Sequence, residues 1–363
     1  MHKKGCSEEE LFSFLSSVKE NDRAYNKVLS SMCTIPHPVA VRAHNMFIET
    51  NLGDPGLFMG TASIEEMLVE RLGTLLHHKK ACGYSTSGGT ESNIQALRIA
   101  RKLGNSKCPN VVVPESAHFS FDKAADILAM EIRTVPSDDK FRMDAEKIEE
   151  KIDKNTVCLV GVAGTTEYGV VDPIEALSDI ASDRDIFLHV DAAFGGLVLP
   201  FVPHTSKFDF ELAGVSSLSV DPHKMGMSTI PAGCLLVRDP SYFHSTEVDT
   251  PYLTVQKECT LCGTRPGASV AGALAVLDFL GEEGMAKIVD SCMENTRRII
   301  KGMENAGYPV ATMPEVNVAS FCCDETPKGW QVSRTRLGHM RTVCMPHVTK
   351  DTIDEFLTAI GEM

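Results

Sequence analysis

Asp221-Pro222-His223-Lys224 brings a carboxylate, an imidazole and an amine within four residues. An apolar, strand-like run (Val215, Leu218, Val220) precedes this stretch, and a loop with Gly226 and Pro231 follows it. A lysine delivered at a strand end beside such groups can act as an amine nucleophile held out of bulk water. The same lysine can equally be a solvated charge on a snorkelling stem. A second stretch, Ser85-Thr86-Ser87-Gly88-Gly89-Thr90-Glu91, opens the helical pattern Ile94, Leu97, Ile99, Ala100. Small hydroxyl residues and glycines at a helix N-terminus make an anion cradle, because backbone N–H groups are free there and the dipole is favourable. They also fit a plain capped turn. Neither the Gly-Lys-Ser/Thr of a nucleotide loop nor a Gly-x-Gly-x-x-Gly is present in it.

Strands and helices alternate around these stretches. Val111 to Val113, Ile132 to Val135, Val157 to Val162, Ile186 to Val190, Val215 to Val220 and Cys234 to Val237 are short apolar runs separated by helical patterns. That order predicts an α/β fold with a mainly parallel sheet covered on both faces. In such sheets, polar residues just beyond the strands line the ligand crevice. The rule gathers Thr90 with its glycines, His118, Thr165, Asp191, His223 and Lys224. A phosphate cradle, an aspartate and a lysine in one crevice fit pyridoxal 5'-phosphate. Its aldehyde needs a lysine for a Schiff base, and its ring nitrogen needs an acidic partner, here Asp191. An unpartnered Asp191 would be a costly buried charge. His118 can supply an aromatic face for the ring, or can be a hydrogen-bonded core histidine.

At 363 residues with 43% apolar and 23% charged content, the chain can bury a large core. The expected division is a helix and interface-loop segment over 1–60, a large cofactor-binding domain over 61–280 and a smaller α+β domain over 281–363. A net charge of −14 argues against a nucleic-acid surface. The most apolar window, Ala268 to Leu280, is broken by Ser269 and Asp278 and does not read as a membrane span. Met1 to Gly5 leads into an acidic segment rather than a signal core. Twelve cysteines without a regular framework read as reduced thiols in a cytoplasm. Cys259-x-x-Cys262 lacks a second ligand pair, so no metal site is expected. Helix starts are expected at the capping boxes Ser7…Glu10 and Ser63…Glu66, at Asp172-Pro173 and at Thr349. The turn-rich Asn51 to Phe58 ends in two large apolar residues, which must pack on the core or line a pocket or subunit interface.

Three motifs together carry a resemblance. Gly83 to Asn93, His189-Val190-Asp191-Ala192-Ala193-Phe194-Gly195-Gly196 and Asp221-Pro222-His223-Lys224 resemble the group II pyridoxal-phosphate decarboxylases, most nearly the archaeal L-tyrosine/L-aspartate decarboxylases. Pro36-His37-Pro38, Asn51 to Phe58, Gly263-Thr264-Arg265 and Met345-Pro346-His347 extend the likeness over nearly the whole chain. The resemblance implies the aspartate-aminotransferase-like fold and a homodimer with shared active sites. It implies that Lys224 carries the cofactor, His118 stacks on its ring, Asp191 pairs the ring nitrogen and Ala193 packs on the other face. Gly88, Gly89, Thr90 and His223 would hold the phosphate, helped by Thr264 of the other subunit. Thr165 would lie near the phenolic oxygen or the substrate carboxylate, and Tyr252 is a candidate proton donor to Cα.

The leaving carboxylate should not be gripped, since ground-state binding lost in the transition state slows the step. An apolar wall of Leu57 and Phe58 suits that need, with His37 and Asn51 as polar contacts. Arg341 is the alternative carboxylate partner, or an interdomain salt bridge. The expected reaction is decarboxylation of L-tyrosine to tyramine, a methanofuran precursor, or of L-aspartate to β-alanine for coenzyme A. A carbon–carbon lyase of the sphingosine-phosphate-lyase type, a cysteine desulfurase and a non-catalytic scaffold are the other readings. Intact Lys224, Asp191, His118 and Thr90 speak against the scaffold.

Overall fold

The computed structural model describes residues 4–362; Met1, His2 and Lys3 of the amino-terminal segment, and Met363, lie outside them. Three helices come first: α1 (Glu8–Lys19), α2 (Pro38–Met46) and α3 (Met59–Leu75). There follow β1 (Cys82–Thr86), α4 (Gly89–Leu103), β2 (Asn110–Pro114), α5 (Ser120–Leu128), β3 (Glu131–Val135), β4 (Thr156–Val162) and α6 (Ile174–Arg184). Then come β5 (Phe187–Asp191), β6 (Val215–Val220), β7 (Gly233–Val237) and the short α7 (Ser241–His244). The hairpin β8 (Val248–Asp249) and β9 (Lys257–Glu258) leads to α8 (Gly267–Asn305), which is interrupted at Gly281 (φ 59°). The chain ends with β10 (Val318–Phe321), β11 (Ser333–Arg334), β12 (Met340–Val343) and α9 (Lys350–Gly361).

Seven strands form one sheet in the order β1-β7-β6-β5-β4-β2-β3, parallel except for β7, which runs antiparallel to both neighbours. Each central strand is apolar on both faces, which is why it reads as a continuous run. Along β4, Leu159 joins the core under α3, α6 and α8, while Cys158 and Val160 join the core under α4 and α5. A third cluster packs α9 and the end of α8 on the three-stranded sheet β10-β12-β11, with the single tryptophan, Trp330, edge-on to Phe356 at 5.1 Å.

Two helix starts differ from expectation. Helix α3 begins four residues before Ser63, directly after the Asp54–Leu57 turn; the Ser63 hydroxyl bonds back to Met59 O at 3.1 Å inside the helix. Asp172 does not cap α6 either. Its buried carboxyl accepts from Met143 N and Val162 N, both at 2.8 Å, and burial pushes it up to about 7. The Ser7…Glu10 box and the Thr349 cap are formed as expected. All twelve cysteines are free thiols, and among the described residues no helix is long and apolar enough to cross a membrane.

Candidate active site

The carboxyl ends of β5 and β6 and the N-terminus of α4 enclose a cavity of ≈ 410 Å³. Its lining includes Gly88, Gly89, Thr90, His118, Asp191, Ala193, His223 and Lys224. A larger cleft of ≈ 920 Å³ opens at the other end of the sheet, between Leu103, Asp153, Arg184 and Tyr242, and holds none of the candidate residues.

Strand periodicity positions the buried carboxylate. Leu188 and Val190 of β5 face one core, so His189 and Asp191 face α4. The parallel register pairs His189 with Ser217 and Asp191 with Ser219 of β6. Asp191 Oδ1 accepts from Ala193 N and from Ser219 Oγ, both at 3.1 Å. Its Oδ2 accepts from Asn93 Nδ2 at 2.8 Å. A carboxylate has about four acceptor positions, so one on Oδ2 remains for a ligand. Asn93 also donates to Ser120 Oγ at 3.0 Å, which leaves its Oδ1 to accept from His189 Nε2 at 2.9 Å. His189 Nδ1 is then the acceptor for Ser217 Oγ at 2.8 Å. Burial pushes His189 down to about 4, so it is neutral at pH 7. Burial alone would raise Asp191, but the Lys224 charge and the Asn93 and Ala193 donors hold it below the ordinary carboxylate range. The chain Ser217–His189–Asn93–Asp191 therefore keeps one carboxylate ionised inside the core.

Lys224 closes a turn after β6, with its N–H on Asp221 O at 2.9 Å and its Nζ 3.1 Å from Asp221 Oδ2. Burial disfavours the ammonium, yet Asp221 and Asp191 outweigh this and raise the amine above its usual value. His223 Nδ1 accepts from Ala232 N at 3.1 Å, which turns Nε2 toward the cavity. His118 Nδ1 accepts from Ser120 N at 3.3 Å, and its ring lies 3.9 Å from that of Phe119. Burial lowers both histidines and so disfavours their charged forms.

The cradle is built for close approach. Gly88 has φ +148°, and a Cβ there would stand 3.0 Å from His223 Cε1. A Cβ on Gly89 would meet that of Ala193 at 3.0 Å. Glu91 Oε2 accepts from Ser87 N at 2.8 Å, and buried Arg265 donates to Ser85 O and Leu52 O, each at 3.1 Å, and to Glu65 Oε2 at 3.2 Å. Arg265 thus ties the loop before α3 to the strand that launches the cradle. An open acceptor on Asp191, a glycine-lined helix N-terminus and a lysine between them fit the ring nitrogen, phosphate and aldehyde of pyridoxal phosphate.

Other expected contacts fall elsewhere. Thr165 is fully buried and holds its own turn by accepting from Val170 N; Gly164 and Thr166 line the cavity instead. Asn51 Oδ1 is taken by Gly53 N at 2.8 Å and Arg265 N at 3.1 Å. His37 caps α2, accepting from Val39 N at 3.2 Å. Leu57, Thr264 and Tyr252 are exposed and Phe58 half-buried, all outside this chain's cavity lining; Tyr252 is 86% exposed in the β8–β9 turn. Arg341 is buried, with Nη1 on Ser333 Oγ at 2.7 Å and Nε and Nη2 without a partner. No carboxylate among the described residues pairs with it, so the interdomain salt bridge is not formed. Asn93, His189, Ser217, Ser219 and Asp221 escaped the sequence reading as functional groups. Alternating His189/Asp191 and Ser217/Ser219 within two apolar strands was the available signal.

The architecture is that of pyridoxal-phosphate enzymes of the aspartate-aminotransferase-like fold. The sphingosine-1-phosphate lyase of Burkholderia pseudomallei superposes with a TM-score of 0.92 at 27% identity, covering 100% of this chain and 91% of that one. The chain belongs to the pyridoxal-dependent decarboxylase family, whose conserved-domain model matches residues 60–323. A protein of Methanoculleus marisnigri named "Probable L-tyrosine/L-aspartate decarboxylase" is 66% identical over 362 residues, spanning 100% of this chain and 99% of its own. An Archaeoglobus fulgidus protein named "Probable L-aspartate decarboxylase" is 49% identical over 353 residues, spanning 95% and 96%. The activity is pyridoxal-phosphate-dependent decarboxylation of an amino acid.

Truncating Asn93 to alanine should expose how much the buried chain matters. It removes one of three donors on Asp191 and strands His189 Nε2. The expected cost is about 1–3 kcal/mol of stability and a roughly tenfold to hundredfold fall in kcat/KM. Thermal unfolding and steady-state kinetics would read the two.

Proposed function

We propose that this enzyme decarboxylates L-tyrosine to tyramine, L-aspartate to β-alanine, or both. The observation that carries the substrate reading is the full-length 66% identity to the Methanoculleus marisnigri protein of that name. When bound, pyridoxal phosphate supplies a sink for the electron pair left at Cα as carbon dioxide departs. Asp191 holds a proton at the ring nitrogen through its open Oδ2 position. His118 and Ala193 would cover the two ring faces, and Gly88, Gly89, Thr90 and His223 Nε2, all in the cavity lining, would hold the phosphate. Lys224 is the amine that would carry the cofactor, and its Nζ lies 3.1 Å from Asp221 Oδ2 and feels the charge of Asp191. Arg341 does not line this chain's cavity, and its two unpartnered buried nitrogens are what support a role in holding a substrate carboxylate.

The active form in this reading is a homodimer in the cytoplasm. Helix α1 buries none of its residues, although Leu11, Phe12, Phe14, Leu15 and Val18 form an apolar stripe. A lone twelve-residue amphipathic helix is marginal in water unless its stripe is covered. Exposed Leu57, Tyr252 and Thr264, which this chain's own cavity does not use, would serve the second copy in this reading. Those residues then reach the neighbouring cavity, with Leu57 and Phe58 as apolar wall and Tyr252 as proton donor.

The test is carbon dioxide release from tyrosine, aspartate and glutamate side by side. Turnover of tyrosine or aspartate at least about tenfold above glutamate is expected, a margin that one misplaced polar group can supply. Release from glutamate alone, or cleavage of a phosphorylated amino alcohol without carbon dioxide, would refute the substrate reading.

A further inference from the structure

The cavity holds two carboxylates and, among the described residues, one side-chain ammonium. Asp191 belongs to the hydrogen-bonded chain above. Asp221 does not. It is 2% exposed, its Oδ1 has no partner, and its Oδ2 accepts from Gly89 N at 3.0 Å. Gly88, the residue before α4, has no side chain to cap the helix. The free N–H at the cradle's floor is therefore occupied by a carboxylate from another segment, as an anion would occupy it.

The groups facing Asp221 come from several elements. Lys224 Nζ at 3.1 Å and His223 Nε2 at 3.7 Å lie on its own turn. His118 after β2, Cys33 of the amino-terminal segment and Cys234 on β7 feel its charge. Burial keeps the histidines low and the thiols high, and among the described residues no arginine lines the cavity. A phosphate dianion entering the cradle thus meets a carboxylate on the same N–H, with Lys224 alone to offset their sum.

We propose that Asp221 is the resident anion of the phosphate cradle: it caps α4 until the cofactor's phosphate binds, and the two anions then share one proton drawn from solvent. Asp221 gives up the Gly89 N–H, the proton joins carboxylate and phosphate oxygen in an O–H···O bond, and no other bond forms or breaks. Like charges within hydrogen-bond reach, with the carboxylate buried, favour this uptake. The proposal rests on the cradle being the phosphate site.

Inorganic sulfate is a suitable probe, since it is a tetrahedral dianion that takes up no proton itself near neutral pH. Its affinity for the apoenzyme is read by competition with pyridoxal phosphate, from cofactor absorbance, between about pH 6.5 and 8.5. Wild-type affinity should fall with rising pH, by up to about tenfold per unit. Asp221→Asn should bind sulfate at least about tenfold more tightly at pH 8, with a flatter slope. His223 and His118 are present in both proteins, so the difference reports Asp221. Calorimetry on the wild type in two buffers of different ionisation enthalpy should show uptake approaching one proton, without recourse to a variant. Asp221→Asn binding no tighter, an unchanged slope or no proton uptake overturns the proposal alone. Sulfate that fails to compete overturns the cradle assignment and the proposal with it.

Discussion

Lys224→Ala is expected to abolish carbon dioxide release, by about 10⁴-fold or more, and to leave a protein that loses its cofactor colour on gel filtration. A positioned proton carrier alone contributes up to about that factor, and in the proposed function Lys224 is also the amine that would hold the cofactor. The same change removes the ammonium lying 3.1 Å from Asp221 and raised by Asp221 and Asp191 together. Two buried carboxylates would be left without a counter-charge, so the apoenzyme should lose about 3 kcal/mol or more of stability. Lys224→Arg separates the two roles, because a guanidinium keeps the charge but offers no nucleophile. Decarboxylation should be absent in both variants, whereas the melting temperature of the apoprotein should fall in the alanine variant alone. Measurable turnover in Lys224→Ala would remove Lys224 from the chemistry.

The parts of this site that were legible in the sequence are those that local chemistry marks. Lys224, Asp191 and the Ser85–Glu91 cradle each lie at or just past the carboxyl end of a strand, where the crevice rule for parallel sheets looks for ligand contacts. The glycines announce close backbone approach, and at Gly88 and Gly89 a Cβ would crowd its neighbours at 3.0 Å. The buried chain beneath Asp191 could not be read in the same way. His189 and Ser217 are 28 residues apart, and only the register of β5 on β6 makes them neighbours. Asp221 was quoted with its neighbours but given no role, because its meeting with Gly89 spans 132 residues. The substitution of Thr166 for Thr165 in the cavity lining turns on which residue closes the Gly164–Val170 turn, which depends on the Thr165–Val170 hydrogen bonds. Ser63 shows the opposite failure. A valid capping pattern was overridden because the Pro55-Gly56 turn already ends the loop at Phe58. Tyr252, Thr264 and Leu57 lie outside this chain's cavity lining; in the homodimer proposed above, their exposure is what residues serving a neighbouring copy would have.

Asp191→Asn is expected to lower kcat/KM by about 10³-fold, roughly 4 kcal/mol of barrier, while cofactor still binds. The substitution is nearly isosteric, so a loss of this size must come from charge and proton, not volume. A neutral amide cannot hold a proton on the ring nitrogen, and the electron pair left at Cα then has a weaker acceptor. The surroundings make the amide a poor guest as well. Asn93 Nδ2, Ala193 N and Ser219 Oγ all point donors at the two carboxylate oxygens. An amide has one acceptor oxygen, so either orientation sets its NH₂ against a donor, and about 1–3 kcal/mol of stability should go with it. The pH dependence separates this from a general loss of structure. Asp191 is held below the ordinary carboxylate range, so its stabilising charge is present above the unfolded value, about pH 4, and disappears only as pH falls through the lower folded value. Taking the wild type to pH 5 should therefore not reproduce the variant's cofactor spectrum. If it did, or if Asp191→Asn turned over within about tenfold of wild type, the ring-nitrogen proton would have to be held by another group. His189 is the adjacent imidazole, but burial keeps it neutral and its Nε2–H is committed to Asn93. Among the described residues Asp191 is thus the cavity carboxylate with donors on each oxygen, and this variant is where the cofactor assignment is most exposed to refutation.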